Sequence, residues 1–503
     1  MARFAGLTRR GLLLGGGAAL GSIAGRAWAP GLSQLQGVPR IGGDLHDPTR
    51  STPVPFLNDA SGLSATPIHV HNRPTSHGDA LVEAFRSELA AARAEGRPVC
   101  VSAARHSMGG QSIPRGGHAI TVDNAWIEPD TAARTYRVNG GARWRDVIRA
   151  LDPLGFSPAV MQSNHDFGVA ATFSVNAHGW PVPYGPMGAT VRALRMVLPS
   201  GDLVTASRAE NPDIFALAMG GYGLIGLIVD MELDMVPNQR LTPAYATMPA
   251  ADFPAAFRAA VDDPTIPMAY GRLNVARASF FEDALLVAYS PDDDQSGLPA
   301  ATESGLASHI ASYVYRAQVG REGMKDLRWW VETGLAPRLG GTSTRNTLMN
   351  EPVLTLDDRD PTRTDILHEY FVPFEAFDGF LTACRDVIPD AFVEFLNVTL
   401  RFVDSDPTSV LAHSPTPRIA AVMSFTQEMT ARAEADHARM TRRLIDRITG
   451  IGGSYYLPYR PHATVAQFNA AYPRAARFAA AKRALDPDLR LRNNLWDTYL
   501  ERS

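Results

Sequence analysis

Cysteine is nearly missing from this chain of 503 residues; only Cys100 and Cys384 occur. One possible pair is no disulfide framework, and no cysteine run has the spacing of a metal cluster. Cys100 falls inside the strand-like run Val99-Cys-Val101, where a free thiol packs as a small hydrophobe. A basic excess is missing too. The formal net charge is −4, and residues 1–29 hold four Arg and no acid, so the remainder carries 44 basic against 52 acidic residues. A phosphate-binding surface shows the opposite balance, which argues against nucleic acid as a partner. The apolar run ending at Ala24 is too short to cross a bilayer, so no integral span is expected in the mature chain. Repeats and low-complexity segments are also absent. What remains, 45% hydrophobic and 20% charged residues, suits a globular protein, and 503 residues suit two domains better than one core.

The amino terminus reads as an address. Thr8-Arg-Arg-Gly-Leu-Leu-Leu14 opens the short apolar run, and Ala27-Trp-Ala29 has the small-x-small form of a cleavage site. The twin Arg marks a Tat-type signal over residues 1–29, hence export to the periplasm or beyond. Pro30 disfavours a cut at Ala29, which leaves a different cut site, a retained anchor, or a disordered basic terminus as alternatives. Residues 30–64, rich in Gly, Pro, Asp and Ser, read as an arm or linker.

Two stretches carry the chemistry. The first is Val101-Ser-Ala-Ala-Arg-His-Ser-Met-Gly-Gly-Gln111, which leaves one strand-like run and leads towards another, Ala119-Ile-Thr-Val122. Small residues at Ser102, Ala103, Ala104, Ser107, Gly109 and Gly110 let a backbone approach a ligand and aim N–H groups at an anion such as a pyrophosphate. His106 stands in their midst. The alternative is an ordinary connection with a solvated histidine. The second stretch, residues 160–179, has no Lys, Arg or Glu, and places Ser163, Thr172, Ser174, Asn176 and His178 among small residues. Such a composition suits a buried loop around a polar, planar ligand.

Around these stretches the pattern is mixed. Ile68-His-Val-His71 alternates like a strand, and a helix follows with Ser76 and Asp79 as its cap; Val82, Phe85 and Leu89 share one face and Gly96 ends it. His69 and His71 share a strand face, but the spacing offers no third ligand, so no metal site is expected. Tyr136-Arg-Val138 reads as a strand and Trp144 to Leu151 as a helix. Gly221-Tyr-Gly-Leu-Ile-Gly226 spells a dinucleotide fingerprint, yet it follows a helical run, Pro212 to Met219, and precedes a strand-like one, Leu227 to Met235. It also lacks an acid about 20 residues on, so a Rossmann site is excluded. Beyond Leu241, strand-like runs at Ala284–Tyr289, Val393–Val403 and Ala420–Thr426 mix with helical ones at 306–315, 377–387 and 431–449. Trp329 and Trp330 are expected in the core of that region.

Arg105-His-Ser-Met-Gly-Gly-Gln111 resembles the flavin-attachment loop of the vanillyl-alcohol oxidase and para-cresol methylhydroxylase superfamily, in which Gly-x-Gly-His-Ser or Thr-Arg-His-Ser precedes a Gln. Within this loop the likeness is closest to alditol oxidases and cytokinin dehydrogenases. The resemblance implies FAD as cofactor, joined covalently to His106, with Ser102, Ala103, Ala104, Arg105, Ser107 and Gln111 around it. The family's second flavin segment, Thr-Val-Gly-Gly followed by small residues and His-Gly, is similar to residues 160–179, with Ala170-Ala171 in place of the paired Gly. It carries over Ser163, Gly168, Ala171, Thr172, Ser174, Asn176, His178 and Gly179; with no Cys there, a second, cysteinyl flavin bond is excluded. Gly223, Gly226 and Ile228 resemble the close of the flavin domain. The end of the chain, from Gly452 through Arg492-Asn-Asn494, resembles the tail of decaprenylphosphoryl-ribose oxidases, with Asn494 near the cofactor. That family's lysine is replaced by Tyr459. The His-Trp-Gly-Lys of sugar-lactone and alditol oxidases is absent, and their Glu-x-Arg becomes Thr399-Leu-Arg401.

What this implies is an α+β fold. A two-subdomain FAD-binding domain of the para-cresol methylhydroxylase type covers residues 65–240, an α+β substrate (cap) domain 241–450, and a tail, 451–503, returns to the flavin. The expected activity is oxidation of a CH–OH group in a sugar, polyol or lactone-like substrate, with oxygen or a quinone or cytochrome as acceptor. Arg401 would supply positive charge, Tyr459 or His462 would take the hydroxyl proton, and Tyr456 would orient the substrate. A flavin-binding protein that has lost catalysis is the alternative, since Tyr459 and Thr399 depart from the family.

Overall fold

The computed structural model describes residues 55–302, 314–339, 341–352 and 360–502. The expected export signal, the expected arm up to residue 54 and most of the expected helix at 306–315 lie outside the described residues.

The first layer is a parallel sheet of β1 (Val70–Asn72), β2 (Val99–Ser102) and β3 (His118–Thr121), in the order β1-β3-β2. A helix, Gly78–Ala94, joins β1 to β2 and buries Leu81, Val82, Phe85, Leu89 and Ala92, the face expected from their helical spacing. Its cap differs from expectation. The N-cap is His77, with no side-chain capping bond, because Gly78 turns the chain into the helix with a φ of 58° and leaves Ser76 outside the first turn. Gly96, at φ 68°, ends the helix as expected. Cys100 is buried in β2, and burial pushes its thiol up to about 12.

The second layer is an antiparallel sheet of β4 (Ile127–Asp130), β5 (Thr135–Asn139), β6 (Phe156–Pro158), β7 (Val191–Val197), β8 (Leu203–Ser207) and β9 (Leu227–Pro237). The order is β8-β7-β9-β5-β4, with β6 also paired to β9. Helices Trp144–Leu151 and Val169–Ser174 close its core through Trp144, Ile148, Leu151 and Phe173. The second helix lies inside the stretch read as a loop. Its alternation of Val, Ala and Phe with Thr and Ser buries one side and turns the other towards a cavity.

The third layer holds β10 (Arg240–Pro249), β11 (Met268–Leu273), β12 (Asp283–Pro291), β13 (Ser343–Thr344), β14 (Arg363–Pro373), β15 (Glu394–Val403), β16 (Arg418–Glu428) and β17 (Ser454–Tyr455). These pair antiparallel in the order β13-β10-β12-β11-β15-β16-β14-β17. Helices Phe253–Asp262, Phe377–Val387 and Ala431–Gly450 cover one face over Phe253, Phe257, Phe380, Val398, Leu400 and Leu444. The two-residue period of a strand turns the alternate residues, Tyr270 and Arg272, Asn397, Thr399 and Arg401, Leu367 and Glu369, to the cavity on the other face. Of the adjacent tryptophans, Trp329 packs on the core of the second layer while Trp330 is 52% exposed. Neighbours on a helix point about 100° apart, so both cannot enter one core, and the expectation of two buried rings is corrected.

Candidate functional site

A cavity of about 1190 Å³ opens where the three layers meet. Its floor is the connection leaving β2. Ser102 Oγ is 3.0 Å from Thr121 Oγ1 on the neighbouring strand, and Arg105 turns the chain with a φ of 53°. Tail residues hold this loop. Gln111 Nε2 donates to the carbonyls of Leu457 (2.8 Å) and Tyr459 (2.9 Å), Met108 N donates to Pro458 O (2.7 Å), and Asn494 Nδ2 donates to Gly109 O (2.6 Å). Glycine is required at two contacts. A Cβ on Gly109 would stand 2.6 Å from Tyr459 O, and one on Gly168 would stand 2.5 Å from Ala103 Cβ, where the two stretches touch.

Of the residues singled out in the sequence, Ser102, Ala103, Ala104, Arg105, His106, Ser107, Gln111, Ser163, Gly168, Ala171, Thr172, Ser174, His178, Gly223, Gly226 and Ile228 all line the cavity, as do Arg401, Tyr456 and Tyr459. Four do not line it. Asn176 is buried in a left-handed turn (φ 49°), donating to Asp406 Oδ2 at 2.8 Å and accepting from Gly188 N at 3.0 Å. Gly179 packs its backbone on Met161, where a Cβ would meet the carbonyl at 1.9 Å. Asn494 braces the loop from behind, outside the cavity. His462 is buried outside the cavity lining, bonded to Glu434 Oε1 (2.8 Å) and Thr441 Oγ1 (3.1 Å).

The walls fit a polar, planar ligand. Gln162 Nε2, His178 Nδ1, Arg401 Nε and Ser112 Oγ are buried without a hydrogen-bond partner, and all four residues line the cavity. Each unmet group costs about 1–3 kcal/mol, a penalty that a ligand rich in carbonyl and ring-nitrogen acceptors would relieve. His106 presents its ring beside Phe167, with centroids 4.3 Å apart. Burial, helped by Arg143 and opposed by Asp166, pushes its pKa down to about 4. At neutral pH its imidazole therefore keeps a free lone pair, the state needed to attack an electrophilic carbon.

Across the cavity, strand register sets out a row. Arg272 stands opposite Thr399, Thr399 opposite Val422, and Val422 opposite Glu369. Glu369 pairs with His178 and accepts a hydrogen bond from the Tyr459 hydroxyl at 3.3 Å. Burial pushes the Glu369 carboxyl up, but His178 and Arg401 outweigh it and hold the group below its ordinary value. Burial, together with the Glu369 charge, lifts the Tyr459 phenol well above its own. Arg401 donates to Ser163 Oγ at 2.8 Å and to His178 O at 3.4 Å. Tyr456 donates to Val175 O at 2.8 Å. The far wall carries a second polar group, in which Arg272 and Arg328 both donate to Asn397 Oδ1 (2.5 and 2.9 Å) and Arg328 pairs with Glu332 at 2.9 Å. Glu369 is a buried carboxylate of the cavity wall that the sequence reading did not single out. Its signal was a lone acid in the run Ile366-Leu-His-Glu-Tyr-Phe-Val372, since a buried carboxylate needs a partner.

Comparison with known proteins bears on the same region. Residues 81–207 match the family described as FAD binding domain. A cytokinin dehydrogenase 6 of Oryza sativa subsp. japonica is 34% identical over 156 residues, 28% of this chain and 28% of its own. An alditol oxidase of Streptomyces sp. is 31% identical over 141 residues (27% and 34%), and a mitochondrial L-galactono-1,4-lactone dehydrogenase 1 of Oryza sativa subsp. japonica is 28% identical over 196 (39% and 33%). The chain thus matches about a third or less of the length of these relatives.

Proposed function

We propose, from the match of residues 81–207 to the family described as FAD binding domain, that the chain is an FAD-dependent oxidoreductase acting on a CH–OH group of a sugar, polyol or lactone-like substrate. The observation that carries the reading is the row of cavity-facing groups ending at Glu369, with Tyr459 and Arg401 beside it. Two of the similar proteins are named for an alditol and a galactonolactone, in keeping with a hydroxylated ligand. The first two layers are assigned to the flavin domain (65–240), the third to the substrate domain (241–450), and residues 451–503 to the returning tail.

FAD, when bound, supplies the hydride acceptor. The loop from Ser102 to Ser107 would hold its pyrophosphate, and Gln162, His178 and Arg401 would meet its polar ring edge with the atoms that lack partners. His106 is assigned as the residue bonded to it. The substrate hydroxyl is placed against Tyr459. As the C–H bond breaks, Tyr459 takes the hydroxyl proton and passes its own to Glu369 Oε2, while the Arg401 cation stabilises the developing alkoxide. Tyr459 does not act as a phenolate base alone, because burial first and the Glu369 charge second oppose its ionisation. Glu369 thereby replaces His462 as the final proton acceptor. The electron acceptor is oxygen or a quinone or cytochrome, and the twin-Arg terminus assigns the protein to the periplasm or exterior.

The test is anaerobic mixing of the purified protein with a panel of polyols, sugars and lactones, following flavin absorbance. Bleaching by at least one of them is expected. A flavin that no hydroxylated compound reduces would overturn the enzyme reading in favour of a binding protein without catalysis.

A further inference from the structure

We infer that His69, Glu95 and His118 form a binding site for one divalent transition-metal ion, of which zinc is the natural probe. The site is remote from the cavity. His69 immediately precedes β1, His118 is the first residue of β3, and Glu95 caps the C-terminal end of the helix between β1 and β2. All three thus gather at the N-terminal edge of the parallel sheet, whereas the loop bearing His106 leaves its C-terminal edge after Ser102.

The donor geometry is that of a metal site. Glu95 Oε2 lies 2.9 Å from His69 Nε2 and 3.3 Å from His118 Nε2, and the donor atoms all lie within 4.8 Å of one another. Zinc bonded tetrahedrally at about 2.0–2.1 Å sets neighbouring ligand atoms about 3.3 Å apart, so only small adjustments would close the site. A His2Glu set leaves the fourth position to water. The side chains of His69 and Glu95 are 41% and 42% exposed, which gives an entry path, while His118 is 3% exposed and fixed.

His118 is held by Glu88. Its Nδ1 faces Glu88 Oε1, and Asn72 Nδ2 anchors the other oxygen of Glu88 at 2.5 Å. Both ring nitrogens therefore face carboxylates. A neutral imidazole satisfies only one of them as a donor, and turns the lone pair of the other towards negative oxygen. With a metal the conflict disappears: Nδ1–H donates to Glu88, Nε2 ligates, and the carboxylate–histidine–metal relay fixes the tautomer. Arg97, whose Nη1 donates to Gly116 O at 2.7 Å, holds its Nε 3.2 Å from Glu95 Oε2 as an ion pair that positions this carboxylate. The competing account is an imidazolium at His118 held by two acids with no metal.

The two accounts separate by titrating chelator-stripped, full-length protein with Zn²⁺ against a chromogenic chelator at neutral pH. One equivalent is expected to bind, with a rise in thermal midpoint. His69→Ala and Glu95→Gln, both at exposed positions, should each weaken that equivalent by at least about tenfold and abolish the thermal gain, and Glu88→Gln should weaken it about 10–100-fold. The flavin content of each variant, read from visible absorbance, should match the parent. An absent equivalent, or one that His69→Ala leaves unchanged, would overturn the proposal and leave the imidazolium account.

Discussion

Replacing Glu369 by Gln preserves the shape of the side chain and removes its capacity to take a proton. In the native arrangement the carboxylate faces His178 on one oxygen and accepts from Tyr459 at 3.3 Å on the other. Gln can still accept one of these hydrogen bonds, but a proton arriving through Tyr459 would have nowhere to rest. Positioned acid–base groups contribute about 10²–10⁴ in rate, and Arg401 would still act on the alkoxide, so a loss near 10²–10³ is expected, about 3–4 kcal/mol of barrier. Stability should fall as well. Breaking a buried pair costs about 3–5 kcal/mol when a bare charge is left, and less here because Gln can still accept a hydrogen bond. The assay is anaerobic stopped-flow reduction of the flavin by the best substrate of the panel, with the absorbance spectrum confirming equal cofactor occupancy. A Glu369→Gln protein that is fully loaded yet reduced within about threefold of the parent rate would refute the proton path and leave the carboxylate a structural anchor for His178.

Further outcomes follow from the same geometry. His106→Ala should bind FAD but release it on acid precipitation, whereas the parent keeps flavin fluorescence in the washed pellet; a variant pellet that stays fluorescent would relocate the bond. Gly168→Val should force apart Ala103 and the helix starting at Val169, at a cost of about 1–3 kcal/mol, and be recovered with little flavin. Acid stability should track Glu434. Burial raises its carboxyl, but the His462 hydrogen bond and Arg460 outweigh this and hold it at about 2, against an ordinary 4.5. A depressed carboxyl stabilises the fold fully above about pH 4.5 and loses that contribution as pH falls towards 2, on the order of 3 kcal/mol. Glu434→Gln should flatten that part of a denaturation-versus-pH curve, and an unchanged slope would contradict the assignment.

Much of this was legible in the chain because it depends on local spacing. The helical face of Val82, Phe85 and Leu89, the short strands on either side of His106, and the small residues that let Gly168 touch Ala103 are all written in consecutive residues. The decoy at Gly221–Gly226 was recognisable from the order of its neighbours, and Gly223 and Gly226 do reach the cavity. What escaped depends on long-range register. Glu369 becomes part of the site only because β14, β16 and β15 align it with Val422 and Thr399. His462 carried plausible chemistry, but the helix from Ala431 to Gly450 brings Glu434 to it and removes it from the cavity. Asn176, too, was polar in the right stretch, yet its amide is consumed by Asp406, a partner 230 positions away. His69 and His71 read as a pair, whereas folding joins His69 to His118 and sends His71 to Thr121.

Flavin content tests the central claim most directly. Full-length protein purified without added cofactor, or refolded with FAD and then dialysed, should show the two visible bands of a bound flavin at about one per chain, and Gly168→Val prepared alongside should show little. Colourless parent protein, or a variant that retains as much flavin as the parent, would contradict a cofactor held between the loop at His106 and the segment that follows Gln162.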